Sequence, residues 1–194
     1  MRGGAYVGQA GYNWADSASG TAAAPIRIAA YEGEQPVFDG EWTYGNGLIL
    51  FRVGHVIVDG LTFTHYNDEW GAGALLLLEA HHITVQNSRF IDNGATPQND
   101  HHIYLNSGCS DILIQDNEMQ GTPGAAVHIH QEPGPSNVVI RRNTMTDGFW
   151  GVVVGSESYT VTITANTFAR NVMNIEFTSD SHNVWRRLEG SPRP

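Results

Sequence analysis

Nine histidines, seven tyrosines and no lysine bound the chemistry open to this chain. Four of the histidines fall in one stretch, His101 and His102 in DHHIYLN and His128 and His130 in AVHIH. A strand rises about 3.3 Å per residue, so a His-x-His pair on a strand holds both rings on one face about 6.6 Å apart. With Tyr104 beside them, such rings can take and return a proton as general base and acid. They can equally hold a divalent ion, with His102, His128 and His130 as the expected ligands and Asp100 as a fourth. The metal such a set would take is Ca, Zn or Cu. Carboxylates at Asp92, Asp100 and Glu176 add a third option, acid chemistry by a carboxyl pair.

These residues have to be positioned by something, and the chain repeats. VIVDGLTF, ITVQNSRF, ILIQDNEM, VVIRRNTM and VTITANTF share one apolar pattern, anchored at Val58, Val85, Ile114, Ile140 and Ile163, with steps of 27, 29, 26 and 23 residues. A second anchor, at Phe63, Phe90, Met119, Met145 and Phe168, keeps the same steps. Three of the five place Asn three residues after the first anchor, at Asn117, Asn143 and Asn166, with Ser88 and Leu61 in the other two. Asn tolerates the left-handed backbone that a sharp bend needs, so these three are expected to sit at the bends.

A further strand precedes each anchor pair: LLLLE, HIYLN, AVHIH, GVVVG and NIEFT. Alternation points Ile103 and Leu105, Val127 and Ile129, Val152 and Val154, and Ile175 and Phe177 inward. If Ile103, Ile129, Val152 and Ile175 stack, His102, His128, Gly151 and Asn174 form one outward row, with Tyr104, His130, Val153 and Glu176 beside it. Units this short, without a helical stretch, cannot bury their own apolar faces, so the coils must stack into a solenoid.

Composition narrows the partners. Ten basic against twenty acidic residues leave a formal charge of −10, which argues against nucleic acid, whose phosphates need a basic surface. No apolar run reaches membrane-spanning length, and Met1 is followed by Arg2 and two glycines instead of a signal-peptide core. Cys109 is the single cysteine, so no intramolecular disulfide forms.

On these repeats and their Asn positions the chain resembles the right-handed parallel β-helix proteins of the pectate lyase-like superfamily. The resemblance implies an all-β fold of three parallel sheets and about six coils, a single domain over residues 1–194. Residues 1–24 are expected to be irregular, and residues 181–194 to form a tail or a cap in which Trp185 and Leu188 pack over the last coil. In the resembling proteins a stretch like RGGAYVG ends an earlier coil, behind a capping segment and signal peptide; the expectation here is a trimmed chain or a truncated gene, with the first coil's end exposed or covered by Tyr6, Tyr12 and Trp14. An otherwise monomeric protein would self-associate through exposed coil ends, and the outward apolar row of Ile57, Leu113 and Val139 would pair with the N-terminal segment or another subunit, or stand exposed.

The resemblance also implies an extracellular protein that meets a polysaccharide in a cleft walled by loops on one side. The expectation is a polysaccharide lyase or glycoside hydrolase with His102, Tyr104, His130, Asp100 and Glu176 as catalytic candidates. Tyr66, Trp70, Asn106, Phe149, Trp150 and Arg170 are the candidate substrate contacts, the aromatics offering faces to sugar rings. The alternative is a carbohydrate-binding or adhesive module with no turnover. His55 and His82 are read as solvated turn residues, and His65, His81 and His182 have no evident partner.

Overall fold

Each anchor-pair segment bends once between its two apolar anchors, and that bend generates the architecture. The protein is described here from a computed structural model covering residues 1–7, 12–15 (backbone only), 19–67, 73–96, 99–130, 133–155 and 158–178. It contains three parallel sheets, each coil contributing one strand to each. The first sheet runs through Gly4–Val7, Pro36–Asp39, Thr62–Thr64, Arg89–Ile91, Glu118–Gln120, Thr144–Thr146 and Thr167–Ala169. The second holds Tyr12–Ala15, Leu48–Phe51, Gly73–Leu78, His101–Asn106, Ala125–Ile129, Trp150–Val154 and Met173–Phe177. The third holds Ile26–Ala29, Gly54–Asp59, His81–Gln86, Ser110–Gln115, Ser136–Arg141 and Tyr159–Thr164.

Both expected anchor columns form. Val58, Val85, Ile114, Ile140 and Ile163 pair in one continuous column, and Phe63, Phe90, Met119, Met145 and Phe168 in another. The aromatic column extends back to Phe38 and Tyr6, with rings stacked at 5.1 to 5.3 Å from Phe90 through Phe63 and Phe38 to Tyr6. Since each fully buried Leu, Ile or Phe side chain contributes about 1.5–3 kcal/mol, these columns hold successive coils together far better than the exposed ion pairs at the bends can.

The ladder of Asn side chains forms, but not for the reason expected. The left-handed residue at each bend is the one before: Gly60, Asn87, Asp116, Arg142 and Ala165 carry the positive φ. The Asn behind it turns inward and bonds its neighbours in adjacent coils. Asn143 Oδ1 accepts from the Asn117 backbone N–H at 3.0 Å and side-chain amide at 2.9 Å. The Asn143 amide donates to Ile114 O at 3.0 Å, and Ser88 extends the ladder by accepting from Leu61 N–H at 3.2 Å. A second ladder, unforeseen, has Asn93 and Asn171 at the next corner, donating to Phe63 O and Met145 O.

Where residues 1–24 were expected to be irregular, the described residues among them include two strands. Gly4–Val7 pairs with Pro36–Asp39 in the first sheet and Tyr12–Ala15 with Leu48–Phe51 in the second. On the third sheet Ile57, Leu113 and Val139 stand outward and half-buried, with Thr84 interrupting the row. Trp70 and the tail over 181–194, with His182, Trp185 and Leu188, lie outside the described residues.

Candidate functional site

The outer face of the second sheet carries the histidines, in a register different from the one expected. Ile103 pairs with Val127, not with Ile129, and Val127 with Val152, so one outward row reads Ile49, Leu76, Tyr104, His128, Val153 and Glu176. His130 belongs to the next row, where its Nδ1 lies 3.2 Å from Asn106 Oδ1. A slip of two residues keeps every side chain on its own face, so apolar alternation alone could not exclude it.

His102 is the larger correction. Expected on the outer face, it is fully buried, packed against the Phe90 ring at 6.2 Å, with its Nδ1 3.1 Å from the Asn93 amide. Burial holds its pKa down at about 3. Residues 102 and 103 both enter the core, so alternation breaks at the start of this strand. A signal for this was present: the same position in neighbouring coils is Ala74, Ala126 and Gly151, all small and buried.

His101 takes the place meant for His102. Its ring stacks on Tyr104 at 5.4 Å and meets His128 edge-on at 4.4 Å. The Ala125 backbone N–H donates to His101 Nδ1 at 2.9 Å, which leaves the ring proton on Nε2. That proton points at His128 Nδ1, 2.7 Å away, and so fixes His128 with its own proton on Nε2. His130 donates from Nδ1 to Asn106 and keeps Nε2 as an acceptor. The face thus offers a donor on His128 and an acceptor on His130, with ring centroids 5.7 Å apart. Gly124 makes this possible, since a Cβ there would meet Asp100 O at 2.0 Å and His101 Nδ1 at 2.7 Å.

Electrostatically His101, His128 and Tyr104 are neutral. Burial, then the neighbouring histidines, push His101 down to about 2, and burial followed by His130 pushes His128 down to about 4. Burial raises the Tyr104 phenol to about 12.

The remaining candidates scatter. Asp100 is buried, its Oδ2 accepting from the Ala95 and Thr96 N–H groups at 2.8 and 2.7 Å, so it clamps its loop. Tyr66 is in the core, closed over by Gly40 and Gly47, and reaches no cleft. Phe149 and Arg170 line a shallow groove with Thr122 and Val172, and Arg170 is paired with Asp147 at 2.6 Å. Trp150 packs edge-on against Phe149 at 4.3 Å, half-buried in the row that includes Ala125. Glu176 stands at the far end of the tyrosine row.

Fold and face define a right-handed parallel β-helix with a histidine and tyrosine cluster on one outer sheet. A family model described as periplasmic copper-binding protein (NosD) matches residues 35–190, and the chain belongs to that family. Among solved structures it is similar to PfbA, a surface adhesin of Streptococcus pneumoniae, with 14% identity and a TM-score of 0.43 over 76% of this chain and 50% of that one. The chain thus spans half the length of that structure. No curated protein sequence matches it.

Proposed function

We propose that the outer face of the second sheet binds a polysaccharide and does not turn it over. The observation that supports this reading is the neutral relay from Ala125 through His101 to His128. General base catalysis works best when the base has a pKa near the working pH. Imidazoles held at about 2 and about 4 and a phenol held at about 12 are poor bases at neutral pH, yet good hydrogen-bonding groups for hydroxyls. Hydrolysis would need two carboxyls about 5 to 9.5 Å apart across a bond, and Asp100, one of the candidates, is buried in its own loop. The row from Ile49 to Glu176 crosses six strands, about 24 Å at ~4.8 Å per strand, which suits a linear polymer lying along the axis. A net charge of −10 favours an uncharged glycan over an acidic one.

Calorimetric titration of a panel of neutral and acidic polysaccharides tests this, with products followed by reducing sugar and by absorbance of unsaturated ends. The expected result is saturable binding that falls at least about tenfold in Tyr104→Ala and His128→Ala, with no product. Product formed by the wild type and lost in His128→Ala would sink the reading.

The family's description favours a second reading, in which the chain works in the periplasm or outside the cell and holds copper through imidazole nitrogen. The expected trio of His102, His128 and His130 does not support it: His102 faces the core, and the Nδ1 atoms of His128 and His130 are engaged by His101 and Asn106.

A further inference from the structure

On the third sheet three other histidines come together. Register places Gly54 opposite His81, and therefore His55 beside His82, one coil apart. The next coil continues the same row with Asp111, and the one after with Asn137. Residues 81 and 82 are adjacent on a strand and would ordinarily point to opposite faces. Here His82 and His55 both adopt the left-handed conformation, with φ of 54° each, and the turn brings His82 round beside His81.

The result is a compact group of donors. One ligand atom from each of His55, His81 and His82 lies within 4.8 Å of the other two, and among the described residues this is the group of three or more His, Cys, Asp or Glu side chains that does so. His81 Nδ1 and His82 Nδ1 are 3.0 Å apart. Two nitrogens each ~2.0–2.1 Å from one ion at a right angle would be about 2.9 Å apart, so the pair already has the spacing of two cis ligands. His81 and His82 are exposed and His55 half-buried, which leaves the group open to solvent.

Two further features belong to the same arrangement. A Cβ on Gly54 would meet the His81 ring at 2.1 Å (Cε1) and 2.6 Å (Nδ1), so the His81 ring occupies the space that only glycine leaves. Asp111 Oδ1 accepts from the Asn137 amide at 2.5 Å, which turns the other oxygen toward His82 Nδ1 at 3.8 Å. A side chain that orients a carboxylate in this way is the usual outer support of a metal ligand.

We infer that His55, His81 and His82, with Asp111 as a fourth ligand, form a site for a divalent transition-metal ion, and that Gly54 and Asn137 position it. Imidazole donors select Cu or Zn over the hard, oxygen-seeking Ca. Naming copper as the ion rests on the family reading above; the site itself rests on its own geometry.

The test is titration of the whole metal-free chain with copper(II) sulfate, read by calorimetry and by electron paramagnetic resonance. One equivalent is expected to bind with nitrogen hyperfine structure. His81→Ala and His82→Ala should each weaken binding by at least about tenfold, Gly54→Ala should weaken it by displacing the His81 ring, and His65→Ala should leave it unchanged. Thermal melting of each variant separates lost ligation from lost fold, and zinc titrated in parallel reads the site without the copper assumption. Zinc bound through these histidines without copper would leave the site standing and end the copper reading. Copper affinity untouched by His81→Ala and His82→Ala but lost in His128→Ala would end the site and leave the copper reading standing. If the wild type holds neither ion better than the double His81→Ala/His82→Ala variant, both fall.

Discussion

His101 Nε2 lies 2.7 Å from His128 Nδ1, and the orientation of the pair is set by a backbone group, the Ala125 N–H on His101 Nδ1. A histidine that alternation would place on the same inward face as Ile103 therefore decides the protonation of His128, which was expected as a metal ligand. Both rings should carry their proton on Nε2. Long-range proton–nitrogen correlation spectra of the histidine rings at neutral pH will show this pattern for His101 and His128, and the opposite one, Nδ1–H, for His130.

Removing His101 leaves the buried Ala125 N–H without its acceptor. His101→Ala is expected to cost about 1–3 kcal/mol for the orphaned group, in addition to the cavity. Denaturant titration measures the loss, and His101→Asn should recover part of it if the amide oxygen reaches the same N–H.

Three histidines make stability sensitive to acid. His101, His102 and His128 have folded-state pKa values lowered from 6.5 to about 2, 3 and 4. Above pH 6.5 neither folded nor unfolded chain is protonated at these sites, and stability is complete. As pH falls below 6.5 the unfolded chain takes up protons the folded one refuses, and each such histidine removes about 1.4 kcal/mol per pH unit until its folded pKa is reached. Unfolding midpoints should hold level from pH 7.5 to 6.5 and fall from there to pH 4.5, less steeply in His102→Gln.

Asn143 sits at the centre of the ladder, bonded to Asn117, Ile114 and Asn166. Asn143→Ala should destabilise by about 2–4 kcal/mol, since it strands several buried polar groups at once. Ser88→Ala, which removes the acceptor of the Leu61 N–H and the donor to Gln86 O, should cost less. Thermal melts of the two variants give the comparison.

Gly124 lies against the Asp100 carbonyl and the His101 ring. Gly124→Ala forces backbone to move and is expected to lower stability by about 1–3 kcal/mol, and to abolish the His101 Nδ1–Ala125 pattern in the ring spectra.

The columns from Val58 to Ile163 and from Phe63 to Phe168 were legible because a solenoid repeats one burial requirement per coil, and equal steps at two anchors leave one way to stack them. The Asn positions were legible for the same reason, although their work is side-chain bonding between coils and not the left-handed bend, which Asp116, Arg142 and Ala165 make. What periodicity cannot carry is anything that preserves it. A two-residue slip at the strand holding His128 leaves every face unchanged, and the break in alternation at His102 is a local exception to the pattern used to read it.

The chain's own residues thus determined the parallel sheets, the inward columns and the gathering of histidines on outer faces, since these follow from which side chains must leave water. Tertiary structure alone decided which histidines meet. His101 reaches His128 because Gly124 gives it room, and His81 reaches His82 because Gly54 does and because His82 is held left-handed. Contacts between coils depend on register and on space across the strand gap, and neither is written in the order of residues along one coil.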